Sequence, residues 1–124
     1  MTNSIAEVVD ADVVFIIGSN PTEAHPVIGA QIRQARDRGA RLIVVDPRDI
    51  DLAQEAEIHL RLNPGTNVAL LNGLMNIIIT EGILAKDYVE NRTEGFNELW
   101  EIVKEYTPEK TAAICGVDAE DLKA

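Results

Sequence analysis

Three short stretches of this 124-residue chain gather side chains suited to recognising a small polar ligand. Gly18-Ser-Asn-Pro-Thr-Glu23 carries Asn20 and Glu23, with Ala24 next in line. Asp46-Pro-Arg48 sets a carboxylate two residues from a guanidinium, and Asn63-Pro-Gly-Thr-Asn67 places Thr66 and Asn67 beside Gly65. A carboxylate at a strand end accepts two hydrogen bonds, from ribose hydroxyls or from the N1–H and N2–H edge of guanine. An arginine forks onto phosphate or stacks on a base. Gly18 permits backbone angles that a Cβ forbids, and Pro21 drives Asn20 out of the helical region, so the amides of this turn point in set directions. Taken singly, each stretch is also ordinary turn composition. The case for a ligand site rests on all three falling at one edge of a sheet.

Other chemistries lack their residues. No Gly-x-Gly-x-x-Gly follows the first apolar run, and neither a Gly-Lys-Ser/Thr phosphate loop nor a Gly-x-Ser-x-Gly nucleophile elbow occurs. His25, His59 and Cys115 match no metal-ligand spacing. Cys115, in Ile-Cys-Gly at a helix end, reads as a small buried residue, since nothing beside it would lower its pKa. Asp49 and Asp51 have no partner acid and read as helix caps. An enzyme acting on a nucleotide through Asp46 or Glu23 would need a polarised nucleophile or a general-base pair, and none accompanies them.

The elements that position the loops follow from the period of the apolar residues. Val13 to Ile17 is an unbroken run, the pattern of a strand buried on both faces, and Arg41 to Val45 repeats it. Glu57 to Leu62 alternates instead, as an edge strand with one wet face does. Thr2 to Val9 reads as a short helix, and Pro26 to Arg38 as a longer one with Pro26 in its first turn and Gly39 as its stop. Asp51 to Ala56 forms a short helix. Asn67 to Glu81, with Thr66 as N-cap, is apolar nearly all round and is expected to be the most buried helix. Beyond Gly82 come charged amphipathic helices at Lys86 to Asn91, Glu94 to Tyr106, Pro108 to Ile114 and from Asp118. Phe96, Leu99, Trp100 and Val103 mark the packing face of the second of these. The β-α-β-α-β-α order predicts an α/β fold of three layers with a mainly parallel sheet over residues 1–82, and a helical extension, 83–124, packed on the same domain. The three loops then sit side by side at the carboxyl ends of the strands, where such sheets bind ligands.

Bulk properties narrow the class. With 46% hydrophobic and 26% charged residues the chain is globular, and at this length it buries about two-thirds of its unfolded surface. A formal charge of −10 without a basic stripe excludes a nucleic-acid surface, though backbone amides still hold a small anion. One cysteine allows no internal disulfide and fits a reducing, cytoplasmic compartment. No signal peptide or transmembrane segment is visible in these residues; the apolar run Val68 to Ile79 is short and broken by Asn72, Gly73 and Asn76.

Across its whole length the sequence resembles the catalytic alpha subunit of molybdenum- or tungsten-dependent formate dehydrogenases, within the molybdopterin oxidoreductases. The resemblance runs through Met1-Thr-Asn-Ser-Ile-Ala-Glu7, Gly18-Ser-Asn-Pro-Thr-Glu-Ala-His-Pro26, Val45-Asp-Pro-Arg48, Pro64-Gly-Thr-Asn-Val-Ala-Leu-Leu-Asn72, Asn91-Arg-Thr-Glu-Gly-Phe96 and Tyr106-Thr-Pro108, in that order. It implies a Rossmann-like α/β domain holding one of two molybdopterin guanine dinucleotides through the same three loops. Carried over by position, Gly18, Asn20, Glu23 and the backbone of Ala24 act at loop one. The backbone of Val45, with Asp46 and Arg48, lines the guanosine end at loop two, and Gly65, Thr66 and Asn67 act at loop three. The resemblance also implies that the iron-sulfur segment and the metal-ligating cysteine or selenocysteine lie upstream of these residues, and that a second dinucleotide-binding domain lies downstream. The chain is then expected to be an internal, cofactor-binding piece of an enzyme oxidising formate to carbon dioxide, inactive alone. Its partners are the rest of that subunit and electron-transfer subunits, and the parent would be periplasmic if an export signal lies upstream. The alternative is a stand-alone nucleotide-binding or subunit-interaction module.

Overall fold

The run Leu42-Ile-Val-Val45 has no polar side chain to keep wet, and it becomes the central strand of a three-stranded sheet. The computed structural model describes residues 4–124. β1 (Val13–Ile17) pairs with β2 (Arg41–Val45) along its length, from Val13 beside Arg41 to Ile17 beside Val45. β3 (Ile58–Leu60) pairs with the other side of β2, so the order is β1-β2-β3 with every pair parallel.

Two helices cross between these strands, with one turn of helix leading into the first. α1 (Pro21–Ala24) occupies what the sequence reads as turn, α2 (Pro26–Asp37) follows at once, and α3 (Asp51–Gln54) lies between β2 and β3. A 3-10 helix, Ile5–Asp10, precedes β1; Thr2 and Asn3, assigned by the sequence to that first helix, lie outside the described residues. Ile28, Ile32 and Ala35 recur at helical spacing, and Ile28 and Ile32 pack with Val14, Ile16, Leu42 and Val44 on one face of the sheet, where Leu52 and Ala53 of α3 join them. Each of the valine, isoleucine and leucine side chains contributes roughly 1.5–3 kcal/mol when fully buried.

Two expectations are corrected here. β1 is not buried on both faces: Val13 is 52% and Phe15 42% exposed, because β1 is an edge strand and the helical packing of this core falls on the face of Val14 and Ile16. Asp49 and Asp51 do not cap α3, whose N-cap is Ile50 without a side-chain cap bond.

The chain divides into two compact units, the first ending at Arg61 and the second running Leu62–Ala124. The second is helical: α4 (Asn67–Thr80), α5 (Lys86–Arg92), α6 (Phe96–Val103), α7 (Pro108–Cys115) and α8 (Ala119–Lys123). α4 packs with α6, α7 and α8, so it groups with the helices after it rather than with the sheet before it. Its apolar sequence does not make it uniformly buried. Leu70, Gly73 and Ile77 point inward together with Asn72 and Asn76, whereas Val68, Leu71 and Ile78 remain exposed. No helix among the described residues is long and apolar enough to cross a membrane.

Candidate functional site

In the first unit the ends of β1 and β2 bring two of the three ligand-type loops together. Gly18 has φ +61° with open space where a Cβ would stand, and its N–H donates to Val45 O at 2.9 Å. That bond extends the ladder past Ile17, so this amide and the Val45 carbonyl serve each other. Asn20 is the N-cap residue of α1. Its carbonyl accepts from Glu23 N at 3.2 Å and Ala24 N at 3.0 Å, while its side-chain Oδ1 is buried without a hydrogen-bond partner. The Ala24 amide is thus used within the turn, and the Glu23 carboxylate is free to face solvent. It lies close enough to Arg48 to favour the charged guanidinium there.

Loop two is more tightly built. Asp46 is 1% exposed, and its carboxylate accepts three bonds from one residue. Arg48 N–H donates to Oδ1 at 2.8 Å, Arg48 Nε to Oδ1 at 3.0 Å and Arg48 Nη2 to Oδ2 at 3.0 Å. The backbone bond closes an Asx turn around Pro47. These bonds hold the Asp46 carboxyl below the ordinary carboxylate range, although burial pulls the other way. Arg48 itself is 61% exposed at the side chain.

Two residues that sequence reading assigned to a wet strand face complete this loop. His59 Nε2 lies 2.9 Å from Asp46 O, and Arg61 Nε donates to Pro47 O at 3.0 Å. The register Val44 beside His59 puts them next to the loop. Alternation on β3 is the signal in the sequence; which strand it faces is not.

Loop three belongs to the second unit. Gly65 has φ +85° with nothing near its Cβ position. Thr66 is the N-cap residue of α4, as the sequence leads one to expect, but without a side-chain cap bond; its hydroxyl donates instead to Asn63 O at 2.7 Å, closing the loop on itself. The end of α7 grips the same loop. Asn63 N–H donates to Cys115 O at 2.7 Å, and the buried Cys115 Sγ donates to Thr66 O at 3.6 Å. Gly65 and Asn67 are exposed. Among the described residues, no group of three or more His, Cys, Asp or Glu side chains is arranged to hold a metal ion.

Comparison with known proteins sets this geometry in context. Residues 1–121 match the molybdopterin oxidoreductase family. The F420-dependent formate dehydrogenase subunit alpha of Methanocaldococcus jannaschii is 52% identical over 120 residues, which cover 97% of this chain and 18% of that protein. Formate dehydrogenase H of Escherichia coli is 42% identical over 123 residues, 99% of this chain and 17% of that protein. Among solved structures, the acetylene hydratase from Pelobacter acetylenicus superposes with a TM-score of 0.85 at 36% identity, covering 96% of this chain and 18% of that one. The chain therefore spans less than a fifth of the length of these relatives.

Proposed function

The chain belongs to the molybdopterin oxidoreductase family, and from that premise we propose that it is the part of a formate dehydrogenase-like subunit that holds the guanosine end of a molybdopterin guanine dinucleotide. One observation carries the reading. Arg48 Nε and Nη2 present to the two oxygens of Asp46 a parallel pair of N–H donors, the same fork that guanine offers through N1–H and N2–H. Asp46 is thus shaped for a guanine edge, and Arg48, anchored by its backbone N–H but exposed along its side chain, is able to give up that place. Released, its guanidinium stays within the field of Glu23 and is available to a phosphate or to the face of a base.

Loop one suits the same group. The space above Gly18 admits a ligand against bare backbone, and the unpartnered Oδ1 of Asn20 calls for a donor. Asn20 and Glu23 would contact the dinucleotide beside Ala24, and Val45 would support its guanosine end through the strand. When bound, the cofactor's molybdenum or tungsten supplies two-electron redox chemistry. The parent reaction on this reading removes two electrons and a proton from formate and leaves carbon dioxide, the electrons passing to iron-sulfur clusters outside these residues. The formate assignment leans on the formate dehydrogenase relatives at 42% and 52% identity; the acetylene hydratase, at 36%, uses a similar domain under another name.

Calorimetric titration of the 124-residue protein with GDP and with ADP tests this. GDP should bind at least tenfold more tightly, since adenine lacks the paired donors and a bidentate pair discriminates by about 1–3 kcal/mol. Asp46→Asn should erase the preference. Equal affinities, or a preference that survives Asp46→Asn, would overturn the assignment. Formate-dependent dye reduction by this chain alone would sink the view that it is one part of a larger catalyst.

A further inference from the structure

We propose that His59 and Arg61 are positioning residues for the guanosine site: from β3 and the residue just past its end they fix the backbone of Asp46 and Pro47, so that the Asp46 carboxylate keeps its aim when Arg48 leaves it. The inference rests on the guanine reading above and extends it to two residues that touch neither ligand nor carboxylate.

The need for them follows from the end of the sheet. The ladder between β2 and β3 closes with Val45 beside Leu60, and Pro47 has no N–H with which to continue it. The carbonyl of Asp46, in a part-buried place, is left to find another donor or lose a hydrogen bond, and that of Pro47, nearer solvent, is open to a side-chain donor. His59 on β3 and Arg61, the residue just past the end of that strand, supply those donors to consecutive carbonyls, at 2.9 and 3.0 Å. A carbonyl only accepts, so His59 carries its proton on Nε2. Arg61 spends its Nε on Pro47, not on a carboxylate.

Among the described residues, the hydrogen bonds to the Asp46 side chain all come from Arg48. The Asx-turn bond, the Nε bond and the Nη2 bond all join it to Asp46. Were these the only ties, displacement of the guanidinium by an incoming base would loosen the carboxylate it leaves behind. The two bonds from His59 and Arg61 are independent of that exchange.

The test uses the full 124-residue chain and two readouts, one without ligand. By carbon-detected NMR titration of Asp46 in the free protein, Arg61→Ala should move its titration toward ordinary carboxylate values, because a mobile turn holds the fork less well; His59→Ala should do so too, but part of its shift is the lost imidazole charge that also lowers Asp46, so only the part recovered by His59→Gln reports on positioning. By calorimetry each should weaken GDP about three- to tenfold, the effect of losing one hydrogen bond. His59→Gln and Arg61→Lys, which keep a donor, should recover most of both effects, a rescue that loss of packing alone would not give. Unchanged Asp46 titration and unchanged GDP affinity in the alanine variants would overturn the proposal. If wild-type protein fails to bind GDP, the guanine reading falls, and the Asp46 titration decides the positioning role by itself. Should His59→Ala fail to fold, Arg61→Ala, at an exposed side chain, decides it alone.

Discussion

Thr111 fills the space that a side chain at position 73 would need. A Cβ on Gly73 would lie 2.4 Å from both Cγ2 and Oγ1 of Thr111, which is itself fully buried. α4 and α7 approach this closely only because one of them carries no side chain at the crossing. Gly73→Ala would gain about 1 kcal/mol of helix propensity, yet overpacking a closed site costs about 1–3 kcal/mol, and a buried β-branched side chain has little room to yield. The variant should therefore be less stable by urea titration, and Thr111→Ala in the same chain should recover part of the loss. Equal or higher stability of Gly73→Ala would show that the helices slide apart freely.

Asn76 explains why an apolar helix turns polar side chains inward. It is 3% exposed, and its Nδ2 donates to Val103 O at 3.0 Å, at the last turn of α6 where a carbonyl has lost its helical partner. Asn76→Leu would raise the apolar content of the interface and still destabilise the protein by about 0.5–1.5 kcal/mol, the net worth of one hydrogen bond, because the Val103 carbonyl would keep only the bond from Tyr106 N–H. Thermal unfolding monitored by circular dichroism measures this; an unchanged or higher midpoint would mean that Asn76 is dispensable to the packing of α4 on α6.

The same two residues show where the sequence stops being legible. The bounds of β1 and β2 are readable to the residue, since a run of β-branched and aromatic residues such as Val13 to Ile17 favours a strand whether or not both its faces are covered, and α4 is readable to within a residue of its end. Which way α4 faces is not. Composition around the helix is nearly uniform, so its orientation is chosen by Gly73 meeting Thr111 and Asn76 meeting Val103, contacts with partners 38 and 27 residues away. Loop two was marked by Asp46-Pro-Arg48, but its supports, His59 and Arg61, depend on the register of β3. α1 is a single turn, too short for any period to show. The α-helical turn Pro21–Ala24 and the exposed face of β1 both reflect packing that local pattern does not encode.

Acid should expose the Asp46–Arg48 pair. Hydrogen bonds from Arg48 hold the Asp46 carboxyl below its ordinary value, and hydrogen bonds from Arg33, then its charge and that of Arg36, do the same for Glu55. In each case the folded protein binds its proton at lower pH than the unfolded chain. The stabilisation is complete above the unfolded values, about 3.9 for Asp and 4.3 for Glu, and is lost as the pH falls from there through the lowered folded values. Stability measured from pH 6 to pH 2 should decline most steeply below about pH 4, and Asp46→Asn should flatten that decline. An identical slope in Asp46→Asn would show that the carboxylate is no better held in the folded state than in the unfolded one.

Gly116 controls loop three from the end of α7. It sits at φ +70°, and a Cβ there would lie 2.7 Å from Nδ2 of Asn63, whose N–H is already bonded to Cys115 O. Gly116→Ala meets two separable costs. The left-handed backbone asks about 1–2 kcal/mol of any residue with a Cβ, and the contact with Asn63 adds to it. Asn63→Ala removes the contact and leaves the backbone cost, so Gly116→Ala should be less damaging in that background than in the wild type. A double-mutant cycle on unfolding free energy separates the two. Coupling near zero would mean that the Asn63 side chain moves aside without cost, and that the main-chain bond to Cys115 alone sets the loop bearing Gly65, Thr66 and Asn67.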